Sequence, residues 1–198
     1  MIIKGKIVEL TPAVLSDREN VYNWCFHSET TKCHSGLPDY PETPIETAEE
    51  FFDSDSGYAD YFFDGTQPEK GRGYVILVDN APVGFVSYSS FHLKRGLSEL
   101  DIWMNCEANC GKGFGSDALI ALGNYLNETM GIDRLLMRPS VKNKRAIKSY
   151  MKAGFEKSTM LPSEYLLEEC VKLFGGGDYG AGGDVLLVKS FMQAINCE

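Results

Sequence analysis

Apolar and polar positions alternate from the first residues. Ile3, Ile7 and Leu10 stand among Lys4, Lys6 and Glu9 and predict a strand over residues 1–10. Ser16 and Asp17 then open a helix carrying Val21, Tyr22, Trp24, Cys25 and Phe26. Residues 36–47 form a Gly/Pro/Thr-rich loop, Thr47 to Phe52 a short helix, and residues 57–73 a turn-rich, irregular stretch. From residue 74 the period shortens. YVILVD (74–79) and VGFVSYSSF (83–91) flank a turn at 80–82 and predict an antiparallel hairpin. SELDIWM (98–104) alternates strictly, with Ser98, Leu100, Ile102 and Met104 on one face and Glu99, Asp101 and Trp103 on the other.

A glycine-rich turn at 111–115 leads into a helix whose stripe is Ala118, Leu119, Leu122, Tyr125, Leu126 and Met130, stopped by Gly131. DRLLMRPS (133–140) reads as a strand and NKRAIKSYMKAGF (143–155) as a helix with Ala146, Ile147, Tyr150 and Met151 on one face. A further helix is expected at 163–173, capped by Ser163 and stopped by Gly175, then a flexible glycine loop (175–184) and a last strand (184–191). No repeat or linker divides this order, which predicts one mixed α/β domain over residues 1–198.

Composition narrows the class. A chain of 198 residues buries enough surface to need neither disulfide nor metal. Lys4, Lys6 and Glu9 break the start as a signal peptide, and no apolar run nears the length of a membrane span. Six cysteines then read as free thiols in a reducing cytoplasm, where the protein is expected. A net charge of −9 argues against nucleic acid as partner, and no membrane partner is expected. Cys25, His27, Cys33 and His34 make a poor zinc set, because adjacent side chains converge badly on one ion, so no metal is expected.

Candidate chemistry starts at Cys110-Gly111-Lys112-Gly113-Phe114-Gly115-Ser116, between a strand and a helix N-terminus. Alternate glycines let several N–H groups point at one spot, where the helix dipole adds positive field. This suits a diphosphate, or is merely a tight connection. The string fits neither the dinucleotide nor the Walker pattern. Downstream, Lys142, Lys144, Arg145, Lys148 and Lys152 crowd into eleven residues, several in the first turns of a helix where positive charge is unfavourable. They fit an anionic partner, or a solvated helix face.

The block from Ser98 to Phe155 resembles the acyl-CoA-binding core of the GNAT N-acetyltransferase superfamily. One signature, (R/Q)-x-x-G-x-(G/A), is met from Cys110 to Gly115 except that Cys110 replaces Arg or Gln. The other, N-x-x-A-x-x-x-Y-x-x-x-G-F, is complete in Asn143, Ala146, Tyr150, Gly154 and Phe155. The flavour is that of the aminoglycoside and ribosomal-protein acetyltransferases. The resemblance implies a single-domain α/β (α+β) fold with a mixed, mostly antiparallel twisted sheet flanked by helices. It implies acetyl-CoA as co-substrate, its pyrophosphate on the amides of Gly111, Lys112, Gly113, Phe114, Gly115 and Ser116. The pantetheine would lie near Met104 and Asn105 and bond Asn143, with Arg145 and Ala146 at the same helix end. Tyr150 would protonate the departing thiolate, or be a packing tyrosine. Asp101 would act as base or amine anchor and Glu99 as second acid, unless both sit idle on the wet face of a sheet. Direct transfer is more economical than an acyl-enzyme on Cys110.

The acceptor is read from residues 33–69. Ten acids (Asp39, Glu42, Glu46, Glu49, Glu50, Asp53, Asp55, Asp60, Asp64 and Glu69) stand there without one Lys or Arg, so the rest of the chain carries +1. With Phe51, Phe52, Tyr58, Tyr61, Phe62 and Phe63 they would form an acidic, aromatic lip for a cation, or a solvated loop with its rings in the core. The first reading favours a small cationic amine, aminoglycoside- or polyamine-like. The alternatives are a basic peptide or protein N-terminus, or a non-catalytic acyl-CoA sensor. Aminoglycoside-acetylating members tend to carry an acid just before Pro-Ser, where this chain has Arg138. Leu166, Leu167, Val171 and Phe174 offer a surface for a homodimer contact.

Overall fold

Two residues set the central hairpin. Asp79 and Asn80 both have positive φ, 50° and 62°, the geometry of a tight turn that follows the twist of the flanking strands. They join β3 (Gly71–Val78) to β4 (Ala81–Ser89), so the turn lies one residue before the expected 80–82 and Pro82 belongs to the strand. The register slips between Ile76 and Leu77, opposite Pro82, which has no N–H to give the ladder. The computed structural model describes residues 1–30, 47–52, 59–179 and 182–191.

The expected first strand is two: β1 (Ile3–Lys4) and β2 (Glu9–Pro12), paired antiparallel. Asp117 turns the chain between them, accepting hydrogen bonds from the amides of Lys6, Ile7 and Val8. Ile7 is therefore 53% exposed and not a core residue. A single sheet runs β1-β2-β3-β4-β5-β6-β8-β7, with β5 (Leu97–Met104), β6 (Arg134–Met137), β7 (Glu156–Lys157) and β8 (Leu187–Ser190). Among the described strands only β5 and β6 pair in parallel.

On one face, α4 (Phe114–Met130) and α5 (Lys144–Lys152) bury Leu119, Leu122, Leu126 and Ile147 against Leu10, Ile76, Val86 and Leu100. On the other lie α1 (Arg18–Phe26), α2 (Ala48–Phe51) and α3 (Tyr61–Asp64). α2 starts as expected: Thr47 Oγ1 accepts from Glu50 N (3.2 Å) while Glu50 Oε2 accepts from Thr47 N (2.7 Å). α3 is a correction to the irregular stretch: Phe62 and Phe63 pull it into the second core with Phe51 and Phe85, and β3 starts already at Gly71.

The helix expected at 163–173 is two, α6 (Pro162–Tyr165) and α7 (Glu168–Phe174). Leu166 and Leu167 between them are extended, and fully buried Leu166 bridges to Leu93. Glu164, not Ser163, receives the amide at the start, from Leu161. Val171 and Phe174 pack on the third core with Leu166, so three of the four side chains expected at a dimer contact face inward. No described helix is long and apolar enough to cross a membrane.

Candidate active site

β5 and β6 pair only from Leu97↔Arg134 to Glu99↔Leu136. Beyond that fork β5 continues to Met104 paired, among the described strands, with β4. The open edge of β5, the start of α4 and the exposed side of α5 enclose a cleft of about 270 Å³. Its floor holds Ile102 and Met104 from the face that alternation assigned to them. Of the expected site residues, Met104, Gly111, Gly113, Gly115, Ser116, Asn143, Arg145, Ala146 and Tyr150 line it.

Gly111 (φ 73°) and Gly113 (φ 90°) occupy the left-handed region, so the chain bends twice before α4 begins. Among the described residues, the amides from Gly111 to Ser116 donate to no other group; the first bonded one is Asp117 N, to Gly113 O at 3.0 Å. Nothing lies within 4 Å of where a Cβ on Gly111 would be. This is a row of open donors at a helix N-terminus, fit for a phosphate. Lys112 and Phe114 do not line the cleft with their side chains. Lys112 Nζ sits 5.9 Å from the centroid of the Phe114 ring, and that ring packs on the first core. Lys148 and Lys152 add positive charge to the wall, and Arg145 pairs with Glu107 beside the mouth.

Asn143 caps α5 through Oδ1, which accepts from Ala146 N at 3.0 Å. Ser116 Oγ donates to Ser149 O (3.1 Å) and ties the two helix starts together. Asn105 turns away from the cleft: its N donates to Val83 O (3.0 Å) and its Nδ2 to Pro82 O (2.8 Å), which completes the β4–β5 ladder. Thr30, missed in the sequence, lines the opposite side and donates from Oγ1 to Met104 O at 3.0 Å. Only the tertiary approach of α1's end to β5 could find it.

Tyr150 is buried at the inner end. Burial, then the charges of Asp101 and Tyr179, raise its phenol well above its ordinary value, so it stays protonated and able to donate. Asp101 is on the face of β5 opposite Met104 and acts electrostatically on Tyr150, on Tyr179 and on buried Cys25. Tyr179 is itself pushed up to about 12, by burial and by Asp178 and Asp101.

Glu99 goes elsewhere. Its carboxylate accepts from Arg138 Nε (2.7 Å) and Nη2 (3.0 Å), and His92 Nε2 lies 2.8 Å from Oε2. Burial alone would raise its pKa, but the bonds from His92 and Arg138 prevail and hold it well below the usual carboxylate range. His92 is a buried member of this network.

Three of the five described acids of 33–69 have local tasks. Asp60 pairs with Arg18 (2.7 Å), Glu50 closes the cap of α2, and Asp64 accepts from Thr66 N (2.8 Å). Phe51, Phe62 and Phe63 are buried, which corrects the aromatic lip: rings this large go to the core. Cys33, His34, Asp39, Glu42, Glu46, Asp53, Asp55 and Tyr58, with the loop at 36–46, lie outside the described residues. Among the described residues no group of three His, Cys, Asp or Glu could hold a metal.

The acetyltransferase (GNAT) domain model matches residues 8–156. No curated protein matches the chain in sequence. The aminoglycoside acetyltransferase AAC(6')-Ib in complex with paromomycin and acetyl-CoA superposes with TM-score 0.64 at 18% identity, over 93% of this chain and 94% of that one. RimL, a ribosomal L7/L12 alpha-N-protein acetyltransferase in complex with coenzyme A, gives 0.65 at 20%, over 96% and 98%. The microcin C7 self-immunity acetyltransferase MccE with acetyl-CoA and AMP gives 0.63 at 16%, over 94% and 93%. Matched by the domain model across the cleft and both of its walls, the chain belongs to the GNAT acetyltransferase family.

Proposed function

We propose that the protein moves the acetyl group of acetyl-CoA directly to a primary amine of a small cationic acceptor. One observation carries this reading: of a row of unengaged amides from Gly111 to Ser116, the residues Gly111, Gly113, Gly115 and Ser116 line the same cleft as a buried, protonated Tyr150. Acetyl-CoA supplies an acetyl group activated as a thioester. The amides of Gly111 to Ser116 hold its pyrophosphate, and Lys148, Lys152 and Arg145 meet its remaining charge. The open edge of β5 beyond Glu99 receives the pantetheine as an added strand would pair. Asn143, whose Oδ1 is committed to the cap, offers its amide nitrogen to the same arm.

Asp101, directly or through a water, takes the proton that the amine loses as its nitrogen bonds the carbonyl carbon. Tyr150 gives its proton to the sulfur as the carbon–sulfur bond breaks. Glu99 has both oxygens engaged by Arg138 and His92, so the role of second acid is withdrawn from it in this proposal.

A second acceptor class, the α-amine of a basic peptide, is supported by Arg138, which stands where aminoglycoside-acetylating members tend to carry an acid. Free CoA release is to be followed with a panel of polyamines and aminoglycosides beside basic N-terminal peptides. Small amines are expected to turn over. Turnover of peptides alone selects the second class. Binding of CoA with turnover of neither makes the protein a sensor. CoA at a hundredfold excess over its Kd is expected to stabilise the fold by about 2.7 kcal/mol, and no shift in melting would remove the co-substrate from the reading.

A further inference from the structure

The buried trio of Glu99, Arg138 and His92 has no part in the transfer described above. Glu99 is the last residue of β5 paired to β6, and Arg138 is the first after β6 ends. Their side chains are 10% and 8% exposed, so the ion pair sits inside the fork from which the cleft opens. The carboxylate takes two nitrogens of one guanidinium and His92 Nε2 on the same Oε2, while His92 Nδ1 is buried without a partner. A buried ion pair can be replaced by apolar groups at little cost in stability, so stability alone does not explain it.

The remaining Arg138 nitrogen, Nη1, donates to Phe174 O at 2.7 Å. Phe174 ends α7, its ring packs on His92 and Phe91, and the segment Gly175–Tyr179 leaves from it. The returning limb is stitched to the same stretch of chain. Val141 N donates to Gly183 O (2.8 Å), Val185 N to Pro139 O (3.0 Å), and Asp184 bridges to Ser140 while accepting from Tyr179 N (3.2 Å). Both limbs thus hang on residues 138–141, which run straight into Asn143 of the cleft wall.

We propose that Arg138 is a positioning residue for the acceptor side of the cleft: gripped by Glu99, which His92 steadies, it fastens the segment Gly175–Tyr179 beside the open edge of β5. The anchor needs a fork. One edge of the guanidinium serves Glu99 and the third nitrogen serves Phe174, and a lysine cannot do both. Tyr179 is the side chain of that segment with most to lose, because Asp184, on the returning limb, accepts from its amide, and it interacts electrostatically with Tyr150 and Asp101. Only the kinetic part of the test below rests on the acetyl-transfer reading.

The double variant Glu99→Gln/Arg138→Met, which removes both charges of the ion pair together, is compared with Arg138→Lys and the wild type. Amide hydrogen exchange in residues 175–179 is expected to speed up about tenfold or more in the double variant, with exchange in α4 unaltered. The Kd for CoA should stay within about twofold, and KM for whichever amine of the panel the wild type acetylates should rise about tenfold with KM for acetyl-CoA unmoved. Arg138→Lys should fall between, and it alone decides if the double variant does not fold. Unchanged exchange at 175–179 in a folded variant overturns the proposal, as does an equal shift of both KM values. A wild type that binds no CoA sinks the transfer reading, and the exchange measurement still decides the anchor.

Discussion

The cradle at the start of α4 lines the cleft, the ion-paired fork lies buried where β5 and β6 part, and the two are made of different materials. The cradle is main chain: six consecutive amides left open by two left-handed glycines, with side chains contributing little. The fork is side chain: a carboxylate, a guanidinium and an imidazole brought from three separated stretches and sealed from water. Main-chain donors are present whatever the side chains, so the open amides do not depend on Cys110, which departs from the (R/Q)-x-x-G-x-(G/A) signature. The fork tolerates no single loss, because each member exists only as the other's solvation. Affinity for a shared co-substrate suits the first material, and placement of a particular acceptor the second.

The sharpest way to break this contrast is at the inner end of the cleft. Tyr150→Phe is expected to lower kcat by about 10²–10⁴-fold, the usual worth of a general acid, with the calorimetric Kd for CoA unchanged. A fall below about tenfold would mean the thiolate receives its proton from elsewhere. Next in size is the fork. Glu99→Ala strands the Arg138 charge in the interior and should cost about 3–5 kcal/mol, a drop of about 10 °C in Tm seen in thermal melts. If the double variant used for the anchor melts as low, the fork is ordinary core and the contrast fails.

The cradle should respond more mildly. Gly113→Ala meets only Ile7 Cδ1, at 3.9 Å, yet forces a Cβ into φ 90°, a strain of about 1–3 kcal/mol, and should weaken CoA binding about tenfold. Smallest is the response to acid. The Glu99 carboxyl is held below its ordinary value of 4.5, so its contribution is fully present above that pH and drains away as pH falls towards the depressed value. Tm should decline with acid in that window more steeply in the wild type than in the double variant, and parallel curves would show that Glu99 is not the titrating group.

Much of the sheet could be read because alternation carries a face with it. The strand 98–104 lies as its pattern demanded, with Ile102 and Met104 towards α4 and α5 and Trp103 towards the aromatic core. The Asn143–Phe155 signature could be read because cap, packing face and Tyr150 fall at fixed helical spacings. The break at Leu166–Leu167 was hidden, since its apolar spacing suits a helix and only the contact with Leu93 pulls it straight. Ile7 misled for the same reason: the amides around it are claimed by Asp117, more than a hundred residues away. Glu99 and Asp101 looked alike as strand carboxylates of one face, and only Arg138 and His92 separate them.

Residue order by itself determined most of the central elements, the glycine bend and the family signatures at 110–115 and 143–155, because each is a local property of the chain. The fork, the pairing of Glu99 with Arg138 and the hold of Arg138 on Phe174 were decided by tertiary structure alone. They depend on where strands stop pairing, and ionic partners in a low-dielectric interior are selected by proximity across the fold, which spacing along the chain does not encode.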